Sequence, residues 1–167
     1  MRFGQAVLSR LKILSKAILS VFLAWIVFHP GGVHADPPVR GQKIFLPVYS
    51  ELPYGDRGAI LNFRILLDVR NLDARQSLSL RRVDYLDENG ARVRSFIEGP
   101  RLLAPFASEI FQVKESDRSG GPSSGFLIEW SSNVPIQPPV IQGLMVHGAY
   151  NQGIAFKTEA RVIETLP

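Results

Sequence analysis

From Lys43 onward apolar residues recur at every second position. Ile44, Leu46 and Val48 alternate with Phe45, Pro47 and Tyr49, and the proline marks this as an edge strand. Leu61, Phe63, Ile65, Leu67 and Val69 then face one way, while Asn62, Arg64, Asp68 and Arg70 face the other; Leu66 is the exception on the polar side. No helix sorts residues to two sides at that period, so this is a half-buried strand. Leu78 and Leu80 open a third strand, and Val83 and Tyr85 close it. The phase slips at Arg81-Arg82, which predicts a bulge. Asp87-Glu88-Asn89-Gly90 reads as a tight turn, its Asn-Gly pair supplying positive φ. Arg92 to Glu98 returns from it.

Leu102 to Pro105 reads as a crossing segment, and Ala107 to Lys114 as a strand with Phe111 and Val113 on one face. Asp117 to Gly125 is a polar loop. Phe126, Ile128 and Trp130 alternate with Leu127, Glu129 and Ser131, with Trp130 the natural core anchor. Val134 to Pro139 reads as a proline-interrupted loop, and 140–148 and 153–163 as two closing strands. Eight strands without a helical stretch predict an all-β, antiparallel two-sheet sandwich of immunoglobulin-like layout. A small closed barrel is the other architecture open to it.

The first 35 residues have another pattern. A basic start to Lys16 leads into Ala17–Phe28, where only Ser20 is polar; His29-Pro30-Gly31-Gly32 breaks the run, and Val33-His34-Ala35 ends it. This is the order of a secretory signal, with cleavage expected after Ala35. The competing reading is a retained anchor, but the apolar run spans only about 18 Å as a helix, against roughly 30 Å of bilayer hydrocarbon. Residues 36–42, with Asp36-Pro37-Pro38, then read as a stiff linker, and 43–167 as a single domain.

Charge changes the picture once it is placed. The net charge is +4, and Arg2, Arg10, Lys12 and Lys16 all precede residue 35, where no acid occurs. The remainder is balanced, so the high isoelectric point gives no reason to expect nucleic acid as a partner. The chain has no cysteine, which excludes disulfides, thiolate metal sites, cysteine nucleophiles and a lipid-modified N-terminal cysteine.

Gly41-Gln42-Lys43-Ile44, Pro47-Val48-Tyr49-Ser50 and Gly55-Asp56 stand in order with Val83-Asp84-Tyr85, Asp87 and Gly90. They are followed by Ser119-Gly120-Gly121, Phe126, Glu129-Trp130, Gln152-Gly153-Ile154 and Phe156. Together these resemble a bacterial exported family known as a domain of unknown function, number 3124, across residues 41–163. The resemblance implies an envelope or secreted location, periplasmic or beyond, and no assigned activity. Some relatives carry a lipid-attachment cysteine; this chain cannot.

Few residues suit catalysis. His147 is the last histidine, no Gly-x-Ser-x-Gly elbow accompanies it, and a strand histidine with a satisfied hydrogen bond is the plainer reading. Met145 shares its face and is a soft ligand, yet two residues do not make a copper site. Asp84, Asp87, Glu88 and Asn89 crowd one hairpin as calcium ligands do, but turn chemistry explains them equally. Asp56, Asp84 and Glu129 are the acids available to a carboxylate-based hydrolase of an envelope or extracellular polymer; ion pairing with arginine is the alternative role. Asp117, Ser119, Gly120 and Gly121 form a Gly-rich turn whose amides suit an anion; its other reading is a flexible hairpin connection. Tyr49, Tyr54, Phe106 and Trp130 are the aromatic candidates for a sugar or peptide surface, against ordinary core packing. The sequence thus predicts an exported, noncatalytic binding or interaction module, with no cofactor and no metal. Its partner would be a protein or glycan of the envelope, with no stable membrane span once the signal is removed.

Overall fold

The computed structural model describes residues 36–149 and 152–167. The export signal expected over 1–35 lies outside the described residues. Twelve strands follow one another: β1 (Val39–Val48), β2 (Glu51–Tyr54), β3 (Ala59–Asn62), β4 (Arg64–Arg70), β5 (Leu78–Leu86) and β6 (Arg92–Ser95), then β7 (Arg101–Leu103), β8 (Ser108–Val113), β9 (Ser124–Ile136), β10 (Val140–Ala149), β11 (Gln152–Glu159) and β12 (Arg161–Thr165). Among the described residues there is no helix, and every strand pairing is antiparallel. The described part of the chain is all-β, as its alternation predicts.

One sheet has the order β12-β1-β9-β5-β6, with β7 also on β5; a second has the order β11-β10-β4-β8; β2 and β3 form a hairpin of their own. Alternation decides what each strand buries. Ile44, Leu46 and Val48 of β1, Val83 and Tyr85 of β5, and Phe126, Ile128 and Trp130 of β9 join one apolar cluster. Ile65, Leu67 and Val69 of β4, Phe111 and Val113 of β8, and Met145 of β10 enter the same cluster from the second sheet. Each fully buried side chain of this kind contributes about 1.5–3 kcal/mol.

Twelve strands replace the eight expected, and the differences have local causes. The alternation from Leu61 to Val69 reads as one strand, but it crosses a junction. β3 ends at Asn62, Phe63 donates its N–H to the Ser50 carbonyl instead, and β4 starts at Arg64. The closing stretch 153–163 divides at Ala160, because β11 pairs with β10 while β12 crosses to β1. The crossing segment contains β7, paired with the start of β5. β9 continues to Ile136 through the stretch read as a loop, and β1 begins at Val39, inside the stretch read as linker.

β1 is also no edge strand: β9 flanks it on one side and β12 on the other. Pro47 is tolerated because β12 reaches only from Gln42 to Phe45, so the proline stands beyond that ladder. The bulge read at Arg81-Arg82 does occur, as a register shift between Leu80 and Arg82 against β9. In the Asp87–Gly90 turn only Gly90 takes positive φ, at 78°. The Asp87 carboxylate does the remaining work, accepting the N–H groups of Asn89 and Ala91.

Candidate functional site

The strand pairing of the second sheet creates a polar recess at one end. Asn62 ends β3 and Arg64 opens β4 on its outer face. Ile65 pairs with Val113, so β8 runs out beside Arg64 and delivers Gln112 and Lys114 to the same place. Glu115, Ser116 and Arg118 follow in the next turn. These seven residues line a space of about 700 Å³. A smaller space of about 260 Å³ adjoins it, sharing Arg64 and Glu115 and adding Val146 and Gly148.

Charge in the recess is unbalanced. Arg64, Lys114 and Arg118 take part in none of the ion pairs among the described residues. The one acid, Glu115, lies 3.2 Å from His147 Nδ1. That nitrogen donates to the Asn62 carbonyl at 2.7 Å, so the hydrogen is on Nδ1 and the histidine ties β10 to the floor of the recess. Oδ1 of Asn62 is buried without a partner among the described residues.

The turn that carries Ser116 and Arg118 is built by the residues the sequence singled out. The Asp117 carboxylate accepts the Ser119 amide at 3.0 Å, the Ser119 hydroxyl at 2.6 Å and Arg94 at 2.7 Å. Gly120 accepts from the Glu88 amide, Gly121 donates to Arg118 and accepts from the Ser50 hydroxyl. Gly120 has no room for a side chain: a Cβ there would overlap the Tyr85 hydroxyl and stand 2.8 Å from the Ser124 Cβ. The Ser119 and Gly121 amides are thus already engaged within the loop, with Asp117 serving Ser119 as the internal anion. The loop supports the recess from behind rather than lining it, apart from Arg118.

Burial alone would raise the Asp117 carboxyl; donation from Ser119 and Arg94 outweighs it and holds the group below its ordinary value. A lowered carboxylate stabilises the fold above its unfolded pKa and loses that contribution as pH falls through the folded one. The stability gap between wild type and Asp117→Asn is therefore expected to be full above about pH 5 and to close below about pH 4. Urea unfolding across that range measures it; a gap that persists at the acid end contradicts the assignment.

The other candidates lie apart. Asp56 is exposed at the tip of the β2–β3 hairpin. Asp84 and Glu129 sit on the outer face of the first sheet. Asp84 is buried between Arg82 at 3.5 Å and Arg92 at 3.9 Å, the arginine pairing weighed against an acid-base role. Glu129 stands opposite Lys43 on β1 and Arg82 on β5, and Lys43 in turn pairs with Glu164 at 2.8 Å. Met145 is sealed in the core. Among the described residues no group of three His, Cys, Asp or Glu side chains is placed to hold a metal. Of the aromatics, Trp130 is core and Tyr49 packs against it, while Tyr54 and Phe106 are exposed. No helix among the described residues is long and apolar enough to cross a membrane.

Sequence reasoning passed over Gln112, Glu115 and Ser116, named Lys114 only as a strand end, and read Asn62 and Arg64 only as the polar side of a strand. Their one signal is a shared outward phase, which acquires meaning only once β4 and β8 are paired.

A family model described as a protein of unknown function (DUF3124) matches residues 41–163. No curated protein matches the chain. Among solved structures, the crystal structure of Thermotoga maritima 1070 is similar at 19% identity and a TM-score of 0.43, over 75% of this chain and 97% of that one.

Proposed function

The chain belongs to the DUF3124 family, and from that premise we propose that it is an exported, noncatalytic binding module of the bacterial envelope. Its two larger sheets stack as a sandwich with immunoglobulin-like layout, and its ligand sits in the polar recess. One observation carries the reading. The recess gathers three cations, one from β4 and two from the connection after β8, that have no ion-pair partner among the described residues, while Asp84, Asp117 and Glu109 each hold an arginine. Clustered like charge costs stability unless something offsets it, and a space of several hundred Å³ suits a small ligand or one unit of a polymer. Export is supported by the basic, apolar, breaker and small-residue order of residues 1–35. The hydrolase reading needs two acids facing one cleft; the recess has Glu115 alone.

The test is an amide chemical-shift titration of the purified protein with cell-wall sugars, phosphate and short peptides. Perturbation centred on 62–64 and 112–118 is the expected result. Shifts that map to another surface, or release of cleaved product from an envelope polymer, would overturn the proposal. The exported form should begin at Asp36 by mass; an N-terminus upstream of it removes the cleaved-signal part.

A further inference from the structure

We infer that the recess takes an oxyanion that also carries hydroxyl groups, a sugar acid or a sugar phosphate; the inference rests on the binding reading above. The donors select the anion. Arg64 and Arg118 present planar guanidinium forks, which match the two oxygens of a carboxylate or phosphate, and Lys114 adds a point charge. Other arginines without an ion pair among the described residues, such as Arg57 and Arg161, line neither of these two spaces.

The acceptors select the hydroxyls. Glu115 belongs to the same recess. A fully ionised oxyanion brings no donor to that carboxylate and is repelled by it. A hydroxyl donates to it. Gln112 and Ser116 can give or take a hydrogen bond and so suit the rest of a polyhydroxylated ring. Size agrees: about 700 Å³ far exceeds an inorganic oxyanion. The adjoining space, with Val146 and Gly148 on its wall beside Arg64 and Glu115, offers room for a second unit.

The experiment is a titration of the purified protein at low ionic strength with glucuronate, glucose 6-phosphate, inorganic phosphate and glucose, followed at the amides of Asn62, Arg64, Lys114 and Arg118. At least one of the two anionic sugars is expected to bind about tenfold more tightly than either phosphate or glucose, and more weakly as salt is added. Which of the two binds better identifies the carboxylate or the phosphate as the natural group. Arg64→Gln and Arg118→Gln should each weaken that binding about tenfold without lowering the thermal midpoint, since both side chains are exposed. Inorganic phosphate binding as tightly as the sugars would remove the hydroxyl requirement, and glucose doing so would remove the anion. Unchanged affinity in both variants would overturn the inference outright. If glucose or a peptide moves these amides while the anionic sugars do not, the ligand class fails and the binding site stands. If nothing moves them, both fail.

Discussion

Replacing Trp130 by alanine should cost about 3–5 kcal/mol, a large part of the roughly 5–15 kcal/mol that holds a domain of this size together. Trp130 is fully buried and has the largest side chain in the core. It sits on β9, the strand that pairs with both β1 and β5, opposite Gln42 on one side and Leu80 on the other. The cavity left by its removal cannot close without moving both neighbours. Thermal unfolding should shift down by roughly 10–20 °C. Trp130→Phe should cost much less, because the indole N–H has no hydrogen-bond partner among the described residues and phenylalanine removes that buried donor while keeping most of the apolar volume. Equal losses for the two variants would mean that the indole nitrogen matters in a way its surroundings do not show.

Asn71→Ala should be the next most damaging change, at about 3 kcal/mol. Asn71 is fully buried between β4 and β5. Its amide donates to the carbonyls of Gln76, Leu103 and Ala104, and its Oδ1 accepts the Asp73 N–H. It braces the turn Ala104–Ala107, closed by the Ala107 N–H on the Ala104 carbonyl, in which Phe106 holds a φ of 58°. An L-residue in that conformation carries strain of order 1 kcal/mol or more, and glycine would relieve it. Phe106 is well exposed, so truncation there loses little packing. In the Asn71→Ala background, Phe106→Gly should therefore restore about 1 kcal/mol. Denaturant midpoints of the single and double variants measure this; no recovery would show that Asn71 does not hold the turn against strain.

Much of the fold was legible because burial on one face leaves a period of two in the chain. Ile65, Leu67 and Val69, then Phe126, Ile128 and Trp130, declare their inward faces by alternation alone, and the slip at Arg81-Arg82 declares its bulge. Partnership leaves no such trace. Pro47 suggests an edge because a proline cannot serve two ladders, yet β12 stops short of it and β1 lies inside the sheet. Leu61 and Phe63 keep phase across the junction of β3 and β4, so period cannot reveal the break. The site suffers most, because it is assembled by the pairing of β4 with β8. Residues 117–121 stood out for their glycines, of which Gly120 serves close packing against Tyr85 and Gly121 takes a positive φ beside Glu88. Arg118, beside them, reaches the recess.

The place of β1 between β9 and β12 also bears on how the chain reaches this state. Lys43 meets Glu164 across a separation of 121 residues, and the other ladder of β1 waits for Ser124 to Ile136. The first strand therefore has no sheet partner until most of the polypeptide is available. A contact order of that kind places folding on the millisecond-to-second scale rather than among the fast local folders. During that interval β1 exposes both of its backbone edges, and an unpaired edge is a template for pairing with another chain.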